Sequence, residues 1–163
     1  MAAAGREINF KEDSAVKKMI AAFGLFTMLT GCAGKAPDLG ITTGQLTPCP
    51  ASPNCVCSQA TDKTHQIEPL RMEIAFQDAR ARLVKILSSE KRVKILINRE
   101  TYIRAEFSSS VFRFVDDVEF YFPQTGGDKT IIHVRSASRI GYSDLGVNRK
   151  RIERIRTRFQ NAR

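Results

Sequence analysis

The stretch "FVDDVEF", residues 114–120, places Asp116, Asp117 and Glu119 almost side by side. General acid–base chemistry and cation binding both use carboxylates at that density. The rest of the chain answers them with cations at Arg104, Arg113, Arg135 and Arg139. In an alternating strand Asp117 and Glu119 share a face with Tyr121, while Asp116 shares the other with Phe112, Phe114, Val118, Phe120 and Phe122. An ionised carboxylate among phenylalanines needs a partner or a raised pKa. The favoured expectation is therefore an ion-pair lattice across a sheet, with Asp116 held by Arg135, Arg139 or backbone NH groups of the "SASR" segment. The alternative is an enzyme that works with Asp116, Asp117, Glu119 and the neighbouring arginines. No catalytic residue is assigned.

A second constellation lies in "RSASRIGYSDLGVNRKRI", residues 135–152. Ser136, Ser138, Tyr142, Ser143 and Asn148 are hydrogen-bonding residues placed before a helix start, with Arg135 and Arg139 nearby. Together they form a candidate site for a phosphate or carboxylate. The competing expectation is that they satisfy a turn and the buried Asp116, with Asn148 capping the helix. From Arg149 onward seven basic residues face one acidic residue, Glu153, and Ile152, Ile155 and Phe159 form a narrow apolar stripe. Docked by that stripe, the helix would turn Arg151, Arg154 and Arg158 outward as candidate membrane-facing residues. Each would add up to about 1 kcal/mol on anionic headgroups, or simply form a solvated basic face. His65 and His133 have no spacing that pairs a nucleophile with its base. The serines lack a nucleophile elbow. No cofactor and no metal site is expected.

The chain also carries an address. Lys17 and Lys18 precede an apolar run from Met19 to Gly31, short for a bilayer span but suited to a signal-peptide core. It ends in "LTGC", Leu29–Cys32, which resembles a bacterial lipobox. The resemblance implies cleavage before Cys32, lipidation of its thiol, and, because Ala33 does not resemble the inner-membrane retention aspartate, an outer-membrane destination on the periplasmic side if the organism is Gram-negative. The segment before it is acidic for a signal n-region, so a start near Val16 to Met19 is expected. Residues 1–31 are set aside as leader. Without its four basic and three acidic residues the chain keeps 22 against 14 and stays basic.

The full chain of 163 residues has 42% hydrophobic and 26% charged residues and a net charge of +9. That is the composition of a globular domain with anionic rather than cationic partners. Nucleic acid is not expected as a partner in an exported protein. Cys49, Cys55 and Cys57 then lie in an oxidising compartment. The five-residue loop between Cys49 and Cys55 invites a disulfide, leaving Cys57 free and buried. A zinc site from these thiols and His65 is the alternative, although its spacing matches no standard ligand pattern.

Periodicity supplies the elements. Residues 32–46 are rich in Gly, Thr and Pro and read as a flexible tether, leaving 47–163 as a single α+β domain. A helical period runs from Met72 through Phe76, Ala79, Leu83 and Ile86 or Leu87. Alternation at Val93–Ile97, Ile103–Phe107, "VFRFVDDVEFYF" and "TIIHVRS" predicts four strands, with "PQTGGDK" as a hairpin connection. With no helix between them the strands should form an antiparallel four-stranded meander, one helix before it and the basic helix packed on it.

The spaced set "PDLG", "PCPASPNC", "FVDDVEF" and "VRSASRIGYSDLGVNRKRI" resembles the bacterial and plastid family called Domain of Unknown Function 1499, over roughly Pro37 to Arg158. The resemblance implies a small domain, often membrane-anchored or exported, with no established catalytic activity. Serine is expected where this chain has Cys57, which favours Cys49 with Cys55 as the pair. The expected function is that of an exported, lipid-anchored cell-envelope protein that binds or structures an anionic envelope component, anionic lipid among the candidates.

Overall fold

The computed structural model describes residues 34–110, 113–124 and 129–161. Cys32, Phe112 and the Gly-Gly of the predicted hairpin connection lie outside them. Eight strands and two helices follow in order: β1 (Ile41–Thr42), β2 (Gln45–Leu46), β3 (Cys55–Cys57), β4 (Leu70–Met72), α1 (Phe76–Ser89), β5 (Val93–Asn98), β6 (Tyr102–Ser108), β7 (Val115–Tyr121), β8 (Thr130–Ser138) and α2 (Val147–Asn161). The fold is α+β with antiparallel sheets. β5 to β8 form a meander, but the sheet has six strands rather than four. β8 is long enough to pair twice more, with β3 at Arg135–Ala137 and with β4 at Thr130–Ile132.

One face of the sheet carries the main core. Ile103, Ala105, Val118, Phe120, Ile132 and Val134 meet Ala79, Leu83, Ile86 and Leu87 of α1 and Ile152, Ile155 and Phe159 of α2. The ring of Phe76 meets that of Phe122 edge-on at 5.6 Å. Burying one such side chain stabilises by about 1.5–3 kcal/mol, so the two apolar helix stripes suffice to fix both helices here. The opposite face is covered as well: Leu46, Cys57 and Tyr102 pack with Ile41, Cys49, Ile97 and Tyr121. A bulge between Ile95 and Ile97 lets β5 serve both cores, because it switches which face the strand's side chains take.

Three expectations change. The helix begins at Phe76, not Met72, since Leu70–Met72 pair with β8 and the Thr130 hydroxyl donates to the Ile74 carbonyl at 2.8 Å. β7 begins at Val115, because Arg113 has φ of 54° and Ser109 exchanges two backbone-directed hydrogen bonds with Phe114, closing a turn there. Phe114 is consequently exposed instead of facing the core. The end of the expected tether is folded: Thr43 and Gly44 both have positive φ, as a two-residue hairpin turn requires, and join β1 to β2. Gln59 pins that hairpin, accepting from the Leu46 amide at 2.8 Å and donating to the Gly44 carbonyl at 3.0 Å.

Candidate functional site

Register explains the first cluster. Across β6, β7 and β8 the rows run Glu106–Asp117–Ala137 and Arg104–Glu119–Arg135 on the face away from the helices. Arg104 leans diagonally to Asp117, donating from Nε at 3.2 Å and Nη2 at 2.8 Å. Arg139 donates to the same carboxylate from Nε at 2.7 Å and Nη2 at 2.9 Å, and also reaches Glu106. Burial pushes the Asp117 carboxyl up, but Arg139 and Arg104 outweigh it and hold the group below the usual carboxylate range. Glu119 accepts from the Tyr102 hydroxyl at 2.7 Å and from Arg135 Nη1 at 3.2 Å. There burial wins, and the Glu119 carboxyl is pushed up despite Tyr102 and Arg135.

Asp116 points the other way, under α2. Its partner is Arg151, at 2.5 Å from Nη2, rather than Arg135 or Arg139. Arg151 also lies 4.9 Å above the Phe107 ring and donates to Ser136 Oγ at 3.0 Å and Asn148 Oδ1 at 2.5 Å. Asn148 donates onward to the Asn54 carbonyl and to Ser138 Oγ. Arg151 is thus a buried residue and not a membrane-facing one, because α2 docks with it turned toward the buried Asp116 carboxylate. Arg154 and Arg158 do reach solvent, and both pair with Glu90.

The serines and asparagine expected to hold an anion are divided. Ser136 and Asn148 are buried and satisfy each other and Arg151, with Ser138 at their edge. Tyr142 and Ser143 are exposed in the loop before α2. Asn148 does not cap the helix. Asp144 does, accepting from the amides of Gly146 at 3.0 Å and Asn148 at 2.7 Å, while the Asn148 side chain serves the network below. Cys49 and Cys55 form a disulfide, and Cys57 is free and buried, its thiol pushed up chiefly by burial. With two of the three thiols joined, the zinc arrangement with His65 has lost its ligands; His65 instead pairs with Asp62 and the Ser52 carbonyl. No group of three or more metal-ligating side chains occurs among the described residues.

Two open concavities remain near these networks. The first, of about 510 Å³, lies where α1 ends and α2 begins, and Lys91, Arg92, Arg154 and Arg158 line it with Ser108, Ser109 and Ser110. Among the described residues Lys91 and Arg92 make no ion pair. The second, of about 340 Å³, lies on the opposite face, over Arg135 and Arg139 and beside Cys49. Sequence reasoning missed Lys35, Lys91, Arg92 and the serine triplet. The "SSS" run next to a strand of opposite-facing charges was the available signal, but nothing local ties it to Lys91 and Arg92, which β5 brings alongside through Val93 opposite Phe107.

Among the described residues no helix is long and apolar enough to cross a membrane. No curated protein matched the chain. Residues 45–159, from β2 through nearly all of α2, match the family model described as Protein of unknown function (DUF1499), and the chain belongs to that family.

Proposed function

We propose that this is an exported cell-envelope protein, anchored through lipid on Cys32, whose domain binds an anionic envelope component, the anionic lipid surface itself. One observation carries the reading: the exposed apolar side chains Phe114, Tyr142, Leu145 and Val147 gather at one end of the sheet, the end where the described chain starts, and the exposed cations Lys91 and Arg92 stand beside them. Register puts Val93 with Phe107, Ser108 with Val115, and Asp116 with Ser138 at that end. Lys91, Arg92, Phe114 and the loop leading to α2 therefore lie there. In that loop Tyr142 is 76% and Leu145 85% exposed, and Leu145 holds a φ of 53°. Gly34 packs against Arg139 and Ile140 at the same end: a Cβ there would lie 3.0 Å from each. A lipid on Cys32, two residues earlier, would hold this end against the bilayer. Exposed aromatic and aliphatic side chains ringed by cations suit a headgroup interface.

The alternative, an enzyme working through Asp116, Asp117 and Glu119, needs a substrate to reach carboxylates that are 7%, 1% and 0% exposed and already hydrogen-bonded to Arg151, Arg104, Arg139, Arg135 or Tyr102. The binding reading asks no such rearrangement.

Co-sedimentation of the unlipidated domain with phosphatidylglycerol vesicles tests it, with phosphatidylcholine vesicles as reference. Reversing Lys91 and Arg92 to Glu removes two headgroup contacts of about 1 kcal/mol each. The expected loss is roughly 30-fold or more, and Leu145→Asp should add to it. Equal binding of the variant and the parent would refute the lipid-surface reading. For the anchor, Cys32→Ala should leave an unlipidated precursor, and normal acylation of that variant would exclude Cys32.

A further inference from the structure

The second concavity holds an unused donor. Arg135 is 5% exposed, and its guanidinium is engaged by Glu119 through Nη1 alone. Its Nε–H has no acceptor among the described residues, although the atom is buried. A buried N–H left without an acceptor costs about 1–3 kcal/mol, more on a charged group, and such exceptions call for a physical cause. Here the cause is adjacent. Arg135 lines the cavity of about 340 Å³ whose other polar walls are Lys35, Asp38, Asp117, Ser138 and Arg139. That volume lies within the range of small-ligand sites and exceeds what one water fills.

The charges of the walls decide the class of ligand. Asp117 is already neutralised, with four hydrogen bonds from Arg104 and Arg139. Glu119, behind Arg135, accepts from its Nη1 at 3.2 Å and leaves the Nε–H without an acceptor. Asp38 and Lys35 stand exposed and opposed in sign. What remains unsatisfied in the wall is the Nε–H of Arg135. Prolines 37, 48 and 50 and the disulfide at Cys49 stiffen the rim, so little ordering is lost when something enters.

We propose that this cavity binds a small oxyanion, a phosphate or a carboxylate, which draws the Arg135 guanidinium toward it so that Nε–H, covered in this structure, donates to an anion oxygen, with Lys35 adding positive charge at the mouth. The site is separate from the helix-side groove and does not depend on the lipid-surface reading. Two sources offer this chemistry, a free anion or the phosphate of a lipid headgroup, since Lys35 follows directly on Gly34 at the anchored end.

The probe is the Nε–H resonance of Arg135 in a spectrum of nitrogen-15-labelled domain, titrated separately with inorganic phosphate, with acetate and with phosphatidylglycerol vesicles. A saturating shift with either small anion supports the site and assigns it a free ligand. Saturation with vesicles alone supports it with the headgroup as ligand. Lys35→Gln, an exposed change that leaves the fold intact, should weaken the saturating interaction about fivefold. Arg135→Lys keeps a positive charge but removes the N–H donor, and should abolish it in a protein whose circular dichroism is unchanged. If Arg135→Lys unfolds, Lys35→Gln carries the comparison. No saturating shift with any of the three probes, or a shift identical in Lys35→Gln, would overturn the proposal. Neither result would touch vesicle binding through Lys91, Arg92 and Leu145.

Discussion

Asp117→Asn isolates the lattice from everything else in the domain. The substitution keeps the side-chain volume and one carbonyl oxygen but removes the charge that two arginines share. Arg104 loses the one carboxylate it is hydrogen-bonded to among the described residues, while Arg139 retains Glu106. Removing one partner of a buried pair costs about 3–5 kcal/mol, because the survivor is left buried and uncompensated. The retained amide oxygen and Glu106 put this case at the lower end, near 3 kcal/mol. With a urea dependence of about 2 kcal/mol per molar, the unfolding midpoint at pH 7 should fall by roughly 1.5 M. The pH dependence follows from the direction of the shift. The Asp117 carboxyl is depressed in the folded protein, so its stabilisation is fully present above the unfolded carboxylate value of about 3.9 and is lost as pH falls toward the folded value. The gap between parent and Asp117→Asn should therefore narrow between pH 5 and pH 2. A deficit below about 1 kcal/mol at pH 7, or a gap that widens on acidification, would refute the assignment of Asp117 as the lattice centre.

Glu119→Gln should behave in the opposite sense. Its carboxyl is pushed up by burial, so the parent's advantage is greatest below the unfolded value and shrinks as pH rises through the folded one; urea curves at pH 4 and pH 7 check this, with a deficit of about 1–2 kcal/mol at most. Replacing both Cys49 and Cys55 by Ser releases a loop with a sequence separation of 6. On the chain-entropy account this costs about 2 kcal/mol, read as a lower urea midpoint than that of the parent. Folded protein should resist labelling of Cys57 by a thiol reagent, because burial both shields the thiol and raises its pKa. Asp144→Ala removes the cap of α2 and should cost about 1 kcal/mol, whereas Asn148→Ala, which breaks the buried network, should cost more.

The α+β class, the meander and both helices were legible because each rests on a local period: 2 for β5 to β8, 3.6 for α1 and α2. β3 and β4 were not, since three residues carry no period, and "CVC" and "LRM" become strands only because β8 outruns β7 and offers backbone to pair. The hairpin β1–β2 hid in a Gly- and Thr-rich stretch because what orders it is Gln59, more than ten residues away. At the charged cluster, strand parity correctly separated Asp116 from Asp117 and Glu119. Partner choice did not follow from parity. Arg135 and Arg139 were closer in sequence, but parity puts Arg135 on the face of Glu119, and only the docking angle of α2 delivers Arg151 to Asp116. An apolar stripe predicts which side of a helix docks, and a long arginine beside that stripe goes in or out according to what waits beneath it.

That distinction changes what the net charge means. Seven arginines, at 104, 135, 139, 151, 154, 156 and 158, are paired inside the described domain with Asp116, Asp117, Glu119, Glu106, Glu90 and Glu153. Net charge alone therefore does not say which cations an external anion meets. Among the described residues without an ion pair, Lys91 and Arg92 line the groove and Lys35 the cavity mouth, while Lys63, Arg71, Lys85 and Arg99 stand exposed elsewhere. Lys35, Lys91 and Arg92 lie toward the end of the sheet where Gly34 meets Arg139. Moving the unpaired charge is therefore a sharper experiment than changing the total. A fourfold variant that exchanges Lys91 and Arg92 for Glu while converting exposed Glu68 and Glu73 to Lys leaves the net charge of +9 unaltered. Vesicle binding by that variant should fall as far as with the two reversals alone, and binding that instead follows net charge would show that the end of the sheet has no special role.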